Sequence, residues 1–399
     1  MSNKSLILAV NAGSSSVKIS VYTVSSSEPH QIAEAQLDGL TAPPAKLSYT
    51  RGSTTVAKGK EQKEDIKDQG AAFSILLDEL VNDSSLNQLG RKEDITHICH
   101  RVVHGGDYPK QQAITKETLE TLEELTGLAP LHNAPALSIF HRSLPEHVRT
   151  YPINQEVAHK NGLRKYGFHG LSYSFITRAV AGFLGKKTGE TNLIALHLGS
   201  GASVCAVKGG KSWDTSMGLT PLAGLPGATR SGSVDPSLVF HYASDVGKLS
   251  PASTKDLHVS RAEEILNKQS GWKALTGTTD FGAISAGYDS DPAKKLAFDL
   301  FVDRICGFIG SYYVSLNGEV DALVFAGGIG EKGEGLRKSV VERCACLGFE
   351  IADEANGKEG GDDVVRDISG KGKHKVLICK TDEQLEMARE VIETESLSG

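Results

Sequence analysis

The fold of this chain is decided by the stretch Leu6-Ile7-Leu8-Ala9-Val10-Asn11-Ala12-Gly13-Ser14-Ser15-Ser16-Val17-Lys18-Ile19-Ser20-Val21-Tyr22. An apolar, β-rich run enters a tight polar turn, and an alternating strand leaves it. Gly13 permits the turn, the three serines offer hydroxyl and backbone N–H groups, and Lys18 adds a cation. Such a turn suits phosphate binding between two strands, although taken alone it describes an ordinary hairpin turn equally well.

A second copy of this pattern lies near the middle of the chain, in Asn192–Val207. A third element, Asp321–Glu331, is a strand that ends in glycines, which let the backbone approach a flat ligand such as an adenosine. Two phosphate-type hairpins, each opening one half, predict a duplicated fold with a nucleotide in the cleft between the halves. This trio is similar to the pattern of the acetate and sugar kinase, Hsc70 and actin superfamily.

Composition narrows the class of protein. The length of 399 residues predicts two or three domains, and a net charge of −6 gives no reason to expect nucleic acid or an acidic membrane surface as a partner. No apolar run reaches membrane-span length, and the N-terminal Leu-Ile-Leu run is too short for a signal peptide. The six cysteines form no C-x-x-C pair, so buried or idle thiols are expected rather than a metal site. Together these features predict a cytoplasmic enzyme.

The pattern along the chain alternates strands and helices, which predicts an α/β fold. The first sixty residues are strand-rich and linked by hairpins. The further expected elements are a helix over 70–81, a strand over 94–103, a helix over 115–126, a solvated hairpin region within 356–375 and a final helix over 382–395.

Two other motifs compete for the nucleotide. Lys208–Ser212 resembles the end of a P-loop, but Cys205 stands where the upstream glycine is required, so this motif is rejected. Gly328–Gly333 matches G-x-G-x-x-G after a strand, with Asp353 at roughly the spacing of a dinucleotide fingerprint. That alternative predicts an oxidoreductase that binds nicotinamide. It leaves both Gly/Ser hairpins without a role.

Four polar clusters indicate the phosphoryl acceptor. Arg101 ends a buried strand, His132 follows an Ala-Pro turn, His169 lies between glycines, and Arg230 lies on a loop. Each alone is more often structural, since a single His or Arg usually satisfies a local carbonyl or carboxylate. Together they supply two guanidinium groups and several imidazoles, which suit a small anionic acceptor beside a triphosphate.

From Leu6 to Arg389 the chain resembles the acetate kinase family. The motifs that carry the resemblance are NAGSSSVK at 11–18, HRVVHGG at 100–106, PLHN at 130–133, YGFHG at 166–170, HLGSGAS at 197–203, DTSMGLTPLAG at 214–224, TRSGSVDP at 229–236, FAGGIGE at 325–331 and KTDEQLEMARE at 380–390. The resemblance implies reversible, Mg²⁺-dependent phosphoryl transfer between ATP and acetate, giving acetyl phosphate and ADP. It also implies a homodimer of chains with two duplicated actin/hexokinase-like (ribonuclease H-like) domains, 1–150 with 383–399 and 151–382, and a nucleotide cleft between them.

The resemblance also implies roles for individual residues. Catalysis would rest on Arg101, His132, His169 and Arg230. The acetate would meet Arg101, Val103, Leu131, Phe168 and Pro221. The nucleotide would meet Ser14, Ser16, Lys18, His197, Gly199, Gly201, Asp280, Gly327, Gly328, Ile329 and Glu331, and the metal Asn11 and Glu383.

The sequence departs from the family in two places. After PLHN, family members continue through a helix and a strand that ends in a Phe-Asp-Ser/Thr-x-Phe-His motif, whose aspartate takes part in the metal and phosphoryl chemistry. Here the chain runs directly into Ile139–Pro145, so about 20–25 residues are missing near 137–139, together with that aspartate. Thr278–Gly282 also lacks an arginine that bacterial members carry near the nucleotide, which leaves the phosphoryl donor less certain.

Two alternatives to an acetate kinase therefore stay open besides the oxidoreductase. One is a propionate or butyrate kinase of the same family, because one methylene in an apolar pocket is worth only about 1–3 kcal/mol. The other is an inactive nucleotide-binding relative, which the missing aspartate supports. The gap itself is expected to reflect omission or mis-splicing, because the flanking motifs are intact.

Overall fold

The computed structural model describes residues 5–13, 16–25, 28–40, 44–62, 66, 68–100, 115, 118, 139–242, 248–251, 253, 259–358, 360–361 and 363–396. Contacts divide the chain into two compact units, Met1–Val102 with Asp382–Gly399, and Val103–Thr381. The C-terminal segment Asp382–Gly399 is therefore grouped with the N-terminal unit. The domain boundary near residue 150 stays a prediction, and the described residues 139–150 fall in the second unit.

Strands and helices alternate through most of both units. The strands are β1 (Leu6–Ala12), β2 (Ser16–Ser25), β3 (Glu28–Asp38), β4 (Lys46–Arg51), β5 (Thr54–Glu61), β6 (His97–His100), β7 (Leu193–Leu198), β8 (Ala202–Lys208), β9 (Lys211–Thr215), β10 (Ala322–Ala326), β11 (Val365–Asp367) and β12 (Lys375–Cys379). The helices are α1 (Gln69–Val81), α2 (Glu146–Arg149), α3 (Gln155–Lys160), α4 (Gly170–Phe183), α5 (Leu238–Tyr242), α6 (Arg261–Lys268), α7 (Gly271–Thr276), α8 (Phe281–Ala286), α9 (Pro292–Ser315), α10 (Gly327–Lys332), α11 (Glu334–Arg343), α12 (Asp353–Gly357) and α13 (Glu383–Ser396). Single 3₁₀ turns lie at Lys92–Asp94, Ile139–Ser143, Thr188–Glu190 and Ala345–Leu347.

The first unit is built on a six-stranded sheet in the order β5-β4-β3-β2-β1-β6. β1 to β5 pair antiparallel with their neighbours in sequence, and β6 pairs parallel to β1. Side chains alternate along β1, so Leu8 and Val10 join a core with α1 while Ile7 and Ala9 lie on the opposite face. The helix α13 packs against β1, β2 and β3, and it is the final helix that the sequence predicts.

The second unit contains a six-stranded sheet in the order β11-β12-β10-β7-β8-β9. β7, β8 and β9 are antiparallel, whereas β10 is parallel to both β7 and β12. Leu196 faces a core that includes Phe301 and Ile305 of the long helix α9, which begins at Pro292 after an Asp291 cap. The helix α4 packs against β7. Among the described residues, no helix has the length and apolarity needed to cross a lipid bilayer.

The two sheets repeat one topology. The order β3-β2-β1-β6 in the first sheet corresponds to β9-β8-β7-β10 in the second, so the predicted hairpins occupy equivalent places. The second sheet continues to the parallel strand β12, and the described part of the first sheet has no counterpart of it. All five residues of β10 are buried, whereas Ile98 of β6 is 64% exposed. The described part of the first sheet therefore ends at β6, where the second sheet continues from β10 to β12.

Candidate functional site

The second hairpin turns at Gly199–Gly201 with very little space around its backbone. A Cβ atom on Gly201 would lie 3.0 Å from Nη1 of Arg230, and one on Gly227 would lie 2.6 Å from the carbonyl oxygen of Ser200. The N–H of Ala228 also donates to that Ser200 oxygen, at 2.9 Å. A side chain at Gly227 would push its loop away from the carbonyl group of Ser200, whereas one at Gly201 would displace only the end of the Arg230 side chain.

Arg230 places a guanidinium group against this turn. Burial lowers the pKa of Arg230 from its ordinary value, and no carboxylate within the described part of the chain forms an ion pair with it. A largely buried cation without a protein counter-charge is stabilised by an anionic ligand. The turn and Arg230 together can therefore hold phosphate or carboxylate oxygens.

A cavity of about 970 Å³ opens beside the same turn. It lies within the second unit, and its volume suits a ligand of nucleotide size. The residues that line it are Gly199, Ser200, Thr279, Asp280, Phe281, Gly282, Ser285, Ala286, Tyr288, Phe298, Gly328, Ile329, Lys332, Gly333, Glu334, Gly335 and Ser339. An aromatic wall of Phe281, Tyr288 and Phe298 can pack against a flat ring, and the Tyr288 and Phe298 rings meet edge to face at 5.0 Å.

Glycines bring the floor of this cavity close to the sheet. Gly327 has a φ of +74°, and a Cβ atom there would lie 2.7 Å from the carbonyl oxygen of Leu198. The backbone of α10 therefore begins directly on β7. Asp280 caps α8, because its carboxylate accepts from the N–H of Gly282 at 2.8 Å.

Arg337 fixes the far end of α10. Its guanidinium is only 2% exposed and donates to the carbonyl oxygens of Gly330 and Glu331 at 2.9 and 2.8 Å. It also donates to Oδ1 and the carbonyl oxygen of Asn356 at 2.7 and 3.0 Å. Burial is the main cause that lowers the pKa of Arg337 to about 10. This residue ties the glycine-rich wall of the cavity to α12.

Two histidines stack on the other side of the β7–β8 hairpin. The rings of His169 and His197 have centroids 4.1 Å apart and an interplanar angle of 26°. Nδ1 of His169 lies 2.8 Å from Oγ of Ser203, and Nδ1 of His197 lies 2.7 Å from Oγ of Ser172. His169 has a φ of +61°, a left-handed conformation that costs about 1–3 kcal/mol outside glycine and occurs often at functional sites.

A third histidine supports the loop that carries His169. His141 is buried, with Nε2 2.8 Å from the carbonyl oxygen of Phe168 and Nδ1 2.8 Å from Oγ of Ser212. Burial lowers the pKa of His141 to about 4, and Lys165 lowers it further. A Cβ atom on Gly167 would lie 2.7 Å from the His141 ring, so the neutral ring and the glycine together set the course of this loop.

The first hairpin carries a separate polar group in the first unit. Asn11 and Lys18 are paired residues of β1 and β2, and Nδ2 of Asn11 donates to Oε2 of Glu383 at 3.3 Å. Nζ of Lys18 forms an ion pair with Glu34 at 2.9 Å. The amide oxygen of Asn11 and the Glu383 carboxylate fit Mg²⁺, which prefers oxygen ligands and uses one or two carboxylates with substrate phosphates. Among the described residues, no group of three or more His, Cys, Asp or Glu could hold a metal ion by itself.

The remaining predicted site residues lie in several parts of the chain. Five lie outside the described residues: Ser14, Arg101, Val103, Leu131 and His132. The residues that line the cavity include Gly199, Asp280, Gly328 and Ile329. Four others lie around the β7–β8 hairpin: His169, His197, Gly201 and Arg230. Phe168 and Pro221 are buried, and Ser16 begins β2.

Gly327 and Glu331 do not line the cavity. Burial raises the pKa of Glu331, and the nearby backbone groups of Thr381 and Gly327 lower it.

Sequence reasoning missed several residues of the site. Tyr288, Phe298 and Ser339 lie far from any motif, and only the packing of α9 and α11 brings them to the cavity. Arg337 occupies a polar position of an ordinary helix, and only its burial distinguishes it. The proposed dinucleotide acid, Asp353, instead forms an exposed ion pair with Lys338 at 3.0 Å.

Comparison with known proteins agrees with these observations. The model of the Acetokinase family matches residues 6–139 and 138–389. A probable acetate kinase of Neurospora crassa is 58% identical over 437 residues, with 97% of this chain and 93% of the relative covered. A probable acetate kinase of Emericella nidulans is 55% identical over 415 residues, covering 98% of each chain. The solved structure of a propionate kinase from Francisella tularensis has a TM-score of 0.81 and 33% identity, covering 97% of this chain and 98% of that one.

The matches also locate the missing segment. The family model matches in two parts that meet at residues 138 and 139. The alignments with both fungal relatives are longer than the 399 residues of this chain, so the relatives contain residues without a counterpart here. The predicted gap near 137–139 is thereby confirmed, and the oxidoreductase alternative is excluded. On its motifs, its duplicated fold and its near-complete match to the family model, the chain belongs to the Acetokinase family.

Proposed function

We propose that this chain is built to transfer the γ-phosphoryl group of ATP reversibly to acetate, giving acetyl phosphate and ADP. One observation supports this most strongly: the half-buried Arg230 guanidinium lies against a Gly/Ser turn whose Gly199 and Ser200 also line the cavity. A cation that forms no ion pair with a carboxylate of the described residues, beside a cavity of nucleotide size, suits the charge that develops on a phosphoryl group in transfer.

The proposed reaction moves one phosphoryl group between two oxygens. A carboxylate oxygen of acetate attacks the γ-phosphorus, and the bond to the bridging oxygen of ADP breaks. Arg230 would hold the equatorial oxygens, and His169 would donate a hydrogen bond to them. Arg101 and His132 are assigned to the same group by the resemblance alone.

The nucleotide and the metal are proposed to meet different parts of the chain. The adenosine would occupy the cavity between Ile329 and the aromatic wall, with the phosphates at Gly199–Gly201. Asn11 and Glu383 would hold Mg²⁺, which when bound neutralises charge on the phosphate oxygens. The homodimer and the cytoplasmic location stay predictions.

Propionate is the second candidate acceptor, because the solved relative from Francisella tularensis is a propionate kinase. Buried Phe168 and Pro221 fit an apolar wall around a methyl group, and one more methylene changes binding by only about 1–3 kcal/mol. We expect acetate to be preferred, with propionate used more slowly.

The missing segment bears on turnover. We propose that the 399-residue chain binds ATP but turns over poorly, because the family aspartate that works with the metal is absent. The test uses a segment-restored form, in which the unmatched residues of the Emericella nidulans relative are inserted at 137–139. This form, with ATP, Mg²⁺ and acetate, propionate or butyrate, should yield acyl phosphate trapped by hydroxylamine, most with acetate. Absence of any acyl phosphate would refute the proposal.

A further inference from the structure

A chain of two buried hydroxyl groups and one half-buried imidazole runs from α4 through β8 to His169. Oη of Tyr173 lies 2.5 Å from Oγ of Ser203, and Oγ of Ser203 lies 2.8 Å from Nδ1 of His169. Tyr173 and Ser203 are both completely buried. Buried hydroxyl groups must satisfy each hydrogen within the protein, so the direction of this chain can be worked out.

The direction is fixed at the Tyr173 end. Among the hydrogen bonds of the described residues, the Tyr173 hydroxyl group has one acceptor within reach, Oγ of Ser203. Burial raises the pKa of Tyr173 well above its ordinary value, so the phenol keeps its proton. The Tyr173 O–H therefore has one acceptor, Oγ of Ser203. Ser203 must in turn pass its own hydrogen to Nδ1 of His169.

We propose that Tyr173 and Ser203 are positioning residues that hold His169 with its Nδ1 as an acceptor and its proton on Nε2. An imidazole that accepts at one nitrogen carries its proton on the other in the neutral form. The Nε2–H group is then set as a donor, which is what a hydrogen bond to a phosphoryl oxygen requires. This inference rests on the proposed function for its purpose, but the protonation pattern stands on the hydrogen bonds alone.

The ring of His169 is supported from two sides. It stacks on the ring of His197 and lies within hydrogen-bond distance of Oγ of Ser203, next to a left-handed backbone with φ at +61°. Without the Ser203 hydroxyl, the Nδ1 atom loses its donor and the ring loses its orientation. Ser203→Thr keeps the hydroxyl, whereas Ser203→Ala and Tyr173→Phe interrupt the chain at different points.

The direct test is nuclear magnetic resonance of the 399-residue chain labelled with ¹⁵N at histidine. His169 is identified from a His169→Gln variant, and two-bond couplings to the ring protons report which nitrogen is protonated. We expect protonation at Nε2 in the unmodified chain, with a Nδ1 resonance that moves in Ser203→Ala and Tyr173→Phe. The matched control is Ser20→Ala, which removes a completely buried serine from the first unit and should leave His169 unchanged.

Steady-state kinetics of the segment-restored form supply the second readout. Ser203→Ala should lower kcat roughly tenfold with little change in KM for ATP, and Ser203→Thr should recover most of the loss. Protonation at Nδ1 in the unmodified chain would overturn the inference, as would a Ser203→Ala variant with an unchanged Nδ1 resonance or an unchanged kcat. Protonation at Nε2 without any acyl phosphate formation would contradict the proposed function and leave the hydrogen-bond direction intact.

Discussion

At the scale of single residues, substitution of Arg230 tests the proposed chemistry most directly. In the segment-restored form, Arg230→Ala should lower kcat on the order of 10²-fold or more, because a fixed charge aimed at the transferring group is lost. The kcat of Arg230→Lys should lie between those of the unmodified form and Arg230→Ala, since a lysine cannot bind two oxygens at once as a guanidinium group does. Kinetics with ATP and acetate measure both.

The control for this prediction is Arg261→Ala. Arg261 forms an ion pair with Glu264 on the same helix at 3.1 Å and contacts none of the cavity residues named above. Its loss should change kcat by less than about twofold. An Arg230→Ala variant with near-normal turnover would show that Arg230 is structural.

His141 predicts how stability depends on pH. Its folded pKa of about 4 lies below the ordinary 6.5, so the unfolded chain binds a proton that the folded chain does not. The contribution of neutral His141 to the free energy of unfolding is fully present above pH 6.5. It is lost as the pH falls toward 4, by up to about 3 kcal/mol. Urea unfolding at several pH values should show a shallower loss in His141→Asn than in the unmodified chain. Parallel pH dependences would contradict this assignment.

Residues of the site differ in how far sequence alone predicts them. Gly199, Gly201 and Arg230 lie in short motifs whose residue types already indicate phosphate binding, and the structure brings them together. His141 carries no such signal, because a histidine in a loop is satisfied in many ways. Its role comes from burial and from the Phe168 carbonyl, which are properties of the folded chain.

At the scale of elements, α10 depends on Arg337. Arg337→Met should leave the carbonyl groups of Gly330 and Glu331 buried without a donor, at about 1–3 kcal/mol each. We expect a lower Tm and an increase of severalfold in KM for ATP, with KM for acetate changed less. The neighbouring Lys338→Ala removes only an exposed ion pair and serves as the control. If Arg337→Met lowers Tm but leaves KM for ATP unchanged, Arg337 contributes to folding and not to the nucleotide site.

Elements with a strong local pattern agree with the sequence. The helix expected over 70–81 is Gln69–Val81, and the final helix expected over 382–395 is Glu383–Ser396. The strand expected over 94–103 is found at His97–His100, and the hairpin within 356–375 corresponds to β11 with the start of β12. The helix expected over 115–126 lies mostly outside the described residues. The aromatic wall was not predictable, because it depends on how α8 and α9 pack.

At the scale of the whole molecule, comparison of the two sheets predicts where the segment missing near 137–139 belongs. The first sheet stops at β6 in the described part of the chain, whereas the second continues from β10 to β12. Restoring the segment should add a strand beside β6 and bury Ile98. Hydrogen exchange of the β6 amide groups should therefore slow in the segment-restored form relative to the 399-residue chain. Equal exchange would contradict this placement of the segment.

The central claim is that the chain has the nucleotide site of the family but lacks a segment needed for turnover. The most direct measurement compares acetyl phosphate formation from ATP, Mg²⁺ and acetate by the 399-residue chain and the segment-restored form, at equal folded protein. We predict that both bind ATP, and that restoration raises kcat by about 10²–10⁴-fold or more. Comparable rates in the two forms would contradict the claim, and would mean that Glu383 suffices without the family aspartate.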